Sequence, residues 1–379
     1  MLQQKIMTSL ADAIGPAPSV RSEDSSRISL DPARVAAAKR AFTTRRADLG
    51  LACGLVNGRV PAAGDLVLAR VVSIGMHGRL ESPEGRRCRL YEGDEIIVAY
   101  GARYAPDQFE AIVPADLDIC DLAAGGGVAA RVLHRHDRVS KPTRIAPIGL
   151  LCDAQGSVLN LSRFALDDAP RPARYPVVIA VAGTAMNAGK TTTASALVQG
   201  LSRAALKVGT AKLTGTGSGG DLWSLFDAGA KQVLDFTDMG HATTAGIDPR
   251  EVERVALGLI DHLAAADVDL IILEIADGVL QKETAHLLSS GRFKTRIDGI
   301  IFAAGDAMGA AAGVAWLDRQ GLPTIAVSGL VTASPLAMRE AEAATGLPVL
   351  GIATLADRVA APKLCLSTAR IESGIWQHG

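Results

Sequence analysis

The sequence predicts an α/β fold in which a mainly parallel sheet domain is preceded by a smaller β-rich domain. Three observations carry that prediction. A glycine-rich turn ending in Gly189-Lys190-Thr191 follows directly on an apolar run, and from Tyr175 onward apolar runs alternate with helix-length segments. Between about residues 61 and 114 the runs are short, β-like and punctuated by glycine and proline. A chain of 379 residues is also too long for one ordinary core. The expected layout is a flexible leader over 1–30, a helix plus a small barrel-like β-rich domain over 31–170, and the α/β domain over 171–379.

Taken in order, residues 1–30 contain Gly15-Pro16-Ala17-Pro18 and Ser22-Glu23-Asp24-Ser25-Ser26, polar stretches with little periodicity. From Asp31 to about Arg46 a run of Ala, Arg and Lys has helical propensity, and Asp31-Pro32 supplies a cap and a first-turn residue. Strands are expected at Leu66 to Ser73, Gly78 to Leu80, Arg87 to Tyr91, Asp94 to Tyr100 and Phe109 to Val113, mostly antiparallel and barrel-like. Gly125-Gly126-Gly127 lacks a following helix start and reads as a turn. In the second half, continuous apolar runs are expected as strands covered on both faces: Val177 to Val181, Val208 to Lys212, Leu270 to Ile275, Gly299 to Ala303, Thr324 to Val327 and Val349 to Ile352.

The totals exclude several classes. Lys plus Arg number 39 against 40 Asp plus Glu, for a net charge of −1, so no basic surplus advertises nucleic acid. The five cysteines, Cys53, Cys88, Cys120, Cys152 and Cys365, form no C-x-x-C pair and read as buried thiols rather than a zinc site or a disulfide framework. No apolar stretch approaches the roughly 20 residues of a membrane span. A cytoplasmic enzyme is the expectation, with neither membrane nor nucleic acid as a partner.

The chemistry concentrates in Gly183-Thr184-Ala185-Met186-Asn187-Ala188-Gly189-Lys190-Thr191-Thr192. After a strand and before a helix, such a turn is a phosphate-binding loop, or P-loop. Its backbone N–H groups face a polyphosphate, Lys190 reaches the β and γ phosphates, and the Thr191 hydroxyl holds Mg²⁺. The usual spacing has four residues between the glycines; here Thr184 stands in that first place and Gly183 one position earlier.

Ligands in such sheets sit beyond the carboxyl ends of the strands, so the residues there come next. Lys212 opens a glycine-rich loop that ends at Asp221. The lysine suits a transferring phosphoryl group, and Asp221 suits a metal or a helix cap. The loop Asp235-Phe236-Thr237-Asp238-Met239-Gly240-His241 offers Asp238 and His241 as substrate- or proton-positioning groups, with a backbone-bonded histidine the equal alternative. Glu274 ends an apolar strand where a metal-directed carboxylate belongs, and Asp277-Gly278 follows as cleft or turn. No Asn-Lys-x-Asp guanine-reading motif occurs near Gly305-Asp306 or Ser328 to Pro335, which favours ATP over GTP.

The loop, Lys212 with Thr214-Gly215 behind it, and Glu274 together resemble the dethiobiotin synthetase type of P-loop enzyme, a SIMIBI-type fold whose loop also has five residues between its glycines and a threonine after the first. The layout is equally similar to the family of N-acetyl-D-glutamate kinases, which sets a P-loop domain behind an unrelated front domain. The resemblance implies ATP and Mg²⁺, a homodimer, and phosphorylation of a carboxylate or carbamate. It implies Lys190 and Lys212 as phosphate-directed cations, and Thr191, Asp221 and Glu274 as metal-directed groups.

The function expected from the sequence is therefore an ATP- and Mg²⁺-dependent phosphotransferase or ligase that activates a small acid or amine acceptor. Lys190, Lys212, Asp238 and His241 are its catalytic candidates, and Arg103 and Tyr104 its acceptor-side candidates in the front domain. The alternative is a nucleotide-dependent switch or metal-delivery NTPase whose β domain binds a protein.

Overall fold

Residues 27–170, 172 and 175–367 are described by a computed structural model of the chain, so most of the expected leader lies outside the described residues. In the front half, turn-forming residues interrupt β-favouring runs, and the backbone forms twelve short strands. They are β1 (Arg27–Ser29), β2 (Lys39–Arg40), β3 (Gly54–Val56), β4 (Leu66–Ser73), β5 (Arg79–Glu81) and β6 (Arg87–Arg89), then β7 (Glu95–Tyr100), β8 (Arg103–Tyr104), β9 (Phe109–Ile112), β10 (Cys120–Ala124), β11 (Val128–Arg135) and β12 (Thr143–Cys152). All but the β5–β6 hairpin join one ten-stranded sheet.

Part of that sheet closes on itself: β12 pairs with β4, β4 with β7, β7 with β11, β11 with β10, and β10 returns to β12. An odd-membered ring cannot alternate strand direction all the way round, and the β7–β11 pair is accordingly parallel while the other pairs are antiparallel. The two-residue side-chain period decides which groups point inward. Val67, Ala69 and Val71 join Ile96, Val98, Leu122, Ala129 and Ile145 in one buried cluster, whereas Leu66, Leu68 and Ile97 face another with Leu30, Val35 and Leu159.

Two local expectations are corrected here. The helix foreseen from Asp31 to about Arg46 is only α1 (Pro32–Ala37), capped by Asp31 as its sequence indicates. Lys39–Arg40 leaves the helix to pair with Ile96–Ile97, because sheet hydrogen bonds outweigh a weak local propensity. For the same reason Arg27–Ser29, inside the expected leader, is a strand paired with Gly54–Val56.

The second half holds a wholly parallel six-stranded sheet in the order β15-β14-β16-β13-β17-β18. Its strands are β13 (Val177–Gly183), β14 (Val208–Lys212), β15 (Gln232–Asp235), β16 (Leu270–Glu274), β17 (Gly299–Ala303) and β18 (Thr324–Ser328). The helices between them are α2 (Lys190–Arg203), α3 (Gly219–Asp227), α4 (Pro249–Ala264), α5 (Lys282–Ser289), α6 (Gly291–Lys294) and α7 (Ala307–Arg319), and α8 (Pro335–Thr345) follows the last strand. One sheet face, with Val178, Ala180, Ile271 and Phe302, packs on α4, α5 and α7; the other, with Ile179, Val181 and Ile272, packs on α2. The fold is thus an α/β P-loop domain preceded by a β-rich one. Strand β15 was not foreseen, and the run Val349 to Ile352 makes only a single bridge, Val349 to Val327.

The two sheets meet through backbone. Gly126, in the turn between β10 and β11, faces Gly217 so closely that a Cβ on Gly126 falls 1.9 Å from the Gly217 carbonyl oxygen. Gly126→Ala is therefore expected to destabilise the protein by about 1–3 kcal/mol through forced separation at this junction. Urea unfolding checks it; a midpoint equal to that of the natural chain would show that the contact yields freely.

Candidate functional site

Strand β13 ends at Gly183 against β17, and a Cβ on Gly183 falls 2.7 Å from the Ala303 carbonyl oxygen, so only glycine lets the chain turn here. Thr184 N–H donates to that same oxygen at 3.0 Å, and Leu330 N–H donates to the Ala188 carbonyl at 3.1 Å. Asn187 and Gly189 have φ of 60° and 97°, the left-handed turn that wraps backbone around a central space. Helix α2 then starts at Lys190 with no side-chain cap, which leaves its first N–H groups to a ligand.

The side chains converge on that space. Lys190, 6% exposed, donates from Nζ to the Ala185 carbonyl at 2.7 Å. Burial lowers its pKa, opposed by the charges of Glu274 and Asp277. Thr191 Oγ1 donates to Glu274 Oε1 at 2.7 Å, while the buried Oε2 has no hydrogen-bond partner. Burial, reinforced by Asp221, pushes the Glu274 carboxyl above its usual range. Lys212 Nζ pairs with Asp221; burial opposes the ammonium charge, but Asp221 and Glu274 outweigh it and raise its pKa. Burial likewise works against the Asp221 charge, and Lys212 more than offsets it.

These groups form one wall of a cavity of about 1500 Å³ that Lys190, Thr191, Thr192, Lys212, Asp221 and Glu274 line, together with Met186 and Asn187. The opposite wall comes from the β-rich domain, with His77, Arg79, Arg87, Arg103 and Tyr104. A mononucleotide fills only part of such a volume. Asp238 and His241 are not among the lining residues. Asp238 and Asp235 share the Arg45 guanidinium at 2.6 and 3.2 Å, and His241 Nε2 lies 2.9 Å from Glu251 on α4. These contacts tie the front segment and α4 to the loop after β15; neither residue points at the phosphate loop.

Asp277, left open as cleft or turn, and two residues outside the sequence-derived set belong to the site region. Asp277, at φ 61°, lines the cavity just beyond Glu274; its Asp-Gly pair marked the position without separating cleft from turn. Asp107 accepts a 2.6 Å hydrogen bond from Asn187 in the phosphate loop. Glu81 accepts from Gly219 N–H and Ser218 Oγ at 2.8 and 3.1 Å, so a carboxylate from the β-rich domain caps α3, the helix that carries Asp221. Asp107 and Glu81 are 80 and 138 residues from those partners, and no local pattern announces them.

No protein-family model and no curated protein matches the chain. Solved structures similar to it include the signal recognition particle 54 kDa protein from Aeropyrum pernix K1 in complex with GDP, at 22% identity and TM-score 0.34 over 51% of this chain and 47% of that one. The signal recognition particle receptor FtsY from Elizabethkingia anophelis in complex with GDP is 16% identical, with TM-score 0.36 over 51% and 65%. The cell division protein ftsY from Thermotoga maritima is 17% identical, with TM-score 0.35 over 54% and 74%. The chain thus spans less than half the length of the first of these.

The likeness is one of fold, an α/β P-loop domain, and it does not bear out the finer expectations. It does not extend to dethiobiotin synthetase or the N-acetyl-D-glutamate kinases, nor single out ATP. The similar structures are signal recognition particle and FtsY proteins rather than small-molecule kinases or ligases, and the expectation of a phosphotransferase or ligase acting on a small acid or amine is withdrawn. The expected small-molecule acceptor is withdrawn with it.

The pair of carboxylates around Arg45 generates a pH test. Burial, and then the neighbouring Asp235 charge, raises Asp238 from an ordinary 3.8 to about 6. The folded state holds the extra proton between those values, so this group's contribution to stability is greatest below about pH 4 and is lost as pH rises through about 6. Asp238→Asn is expected to flatten the fall in Tm across that window; an unaltered slope in the variant would assign it to other groups.

Proposed function

We propose that the chain is a nucleotide-dependent switch. In this reading the loop from Gly183 to Thr192 holds the phosphates of a nucleoside triphosphate, and the β-rich domain responds to which nucleotide is bound. The observation that carries it is the Asn187–Asp107 hydrogen bond. A phosphate that reshapes the loop backbone acts on Asn187, and Asn187 is already tied to the other domain. The Glu81 cap on α3 is a second tie, on the element that positions Asp221. The division near residue 170 into two units that shift against one another is part of the proposal.

The residues fit a magnesium nucleotide. The uncapped amides of α2 and the buried Lys190 ammonium, now bonded only to a neutral carbonyl, suit phosphate oxygens. Thr191, Asp221 and Glu274 are hard oxygen donors of the type Mg²⁺ takes, and the orphaned Glu274 Oε2 is a buried acceptor awaiting a cation. Bound there, the ion neutralises charge on the β and γ phosphates. Lys212 holds Asp221 in place and adds positive charge at the same wall. Adenine is the favoured base, because no guanine-reading motif follows β17 or β18.

Equilibrium titration with fluorescent ATP, ADP, GTP and GDP in the presence of Mg²⁺ tests the reading. Lys190→Ala is expected to weaken triphosphate binding by about 100-fold, the weight of a charge-assisted contact, with little change in Tm. Wild-type affinity in that variant, or binding of none of the four nucleotides by the natural chain, would falsify the assignment.

A further inference from the structure

The cavity wall opposite the phosphate loop contains a buried cation that the fold does not neutralise. Arg103, on β8, is 8% exposed. Its Nη1 donates to the Ala123 carbonyl and lies 3.1 Å from His77 Nε2, and its Nη2 donates to Gln108 Oε1 at 2.5 Å. Its Nε is buried with no hydrogen-bond partner. Among the described residues no carboxylate lies within ion-pair distance, whereas the nearly buried Arg45 has two. The facing charged groups are few. His77 is kept neutral, with its pKa held near 4 by burial and then by the guanidinium itself. Asp277 is the one carboxylate whose charge is felt at Arg103, and it stands at the phosphate-loop wall beside Lys190 and Lys212.

A guanidinium removed from water with only neutral partners is costly, and burial holds its pKa down to about 10. Arg45, a guanidinium nearly as buried, is answered by two carboxylates, so an unpaired one in the wall of a ligand cavity marks where an anion is received. Asp277 points to the same place from the other side. Its left-handed backbone is a strained conformation for a residue with a Cβ, of a kind that clusters at ligand sites.

We infer that Arg103 is the counter-charge for the terminal phosphate of the bound nucleotide, supplied by the β-rich domain of the same chain. The inference rests on the nucleotide reading above and adds what that reading lacks, a group able to distinguish triphosphate from diphosphate. The γ-phosphate draws the guanidinium, and β8 with it, toward the loop; a diphosphate leaves Arg103 on its neutral partners.

Titration of Arg103→Gln with fluorescent ATP, ADP, GTP and GDP tests it. The expected result is about a tenfold or greater loss for the triphosphate, with diphosphate affinity within about twofold of the natural chain. Equal losses for both, or none for either, would overturn the inference and leave the nucleotide assignment standing, since that depends on Lys190→Ala. If the natural chain binds no nucleotide, both readings fall. Amide exchange in the natural chain keeps the inference testable should the glutamine variant not fold. Exchange over residues 103–109 is expected to slow with triphosphate and not with diphosphate, and an equal response to the two would overturn it.

Discussion

A carboxylate withdrawn from water organises the centre of this molecule. Glu274 ends a strand whose every residue is buried, and one of its oxygens is satisfied by Thr191 while the other is satisfied by nothing among the described residues. A lone buried carboxylate is costly enough that the surrounding structure must answer it. It does so with two lysines, one opening α2 and one ending β14, the latter of which holds a second acid. The result is a cluster with alternating charges around a space floored by backbone N–H groups. Each member is tolerable because the others are there.

The β-rich domain is joined to this cluster by contacts of unequal weight. The pairing of Arg45 with Asp235 and Asp238 is nearly dry, with side chains 14%, 3% and 7% exposed, so loss of one partner strands a buried charge. Such breaks cost about 3–5 kcal/mol, against about 0–1 kcal/mol for an open pair such as Arg131 with Asp116. The Asn187–Asp107 bond is exposed and weak by comparison. Strong contacts thus hold the domains together at the end of β15, and a weak one lies at the phosphate loop, where a ligand has only a small energy to overcome.

Much of the fold was legible in the sequence because its strands are buried on both faces and read as unbroken apolar runs. Val208 to Lys212 and Gly299 to Ala303 fall where the pattern put them. Gln232–Asp235 escaped notice because an edge strand with polar ends carries little of that signal. The short helix at Asp31 was overextended for the opposite reason, since Ala, Arg and Lys favour a helix that pairing with β7 then interrupts. Within the site, the phosphate loop and the strand-end positions of Lys212 and Glu274 were legible because their chemistry is local. Glu81, Asp107 and the neutral surroundings of Arg103 were not, being products of contacts between distant segments. Asp238 and His241 drew attention as polar residues in a loop, and their partners Arg45 and Glu251 account for that polarity.

The odd-membered ring has a consequence for how the chain is made. Strand β12 is the last to emerge from the ribosome in the front half, yet it bonds both β4 and β10 and so acts as the closing stave. Until residues 143–152 are synthesised, those two strands each present a bare edge able to recruit a stray neighbour. Once they are in place the barrel is sealed, before the first strand of the second sheet follows. The vulnerable interval in biogenesis is therefore brief and falls before the nucleotide-binding half exists.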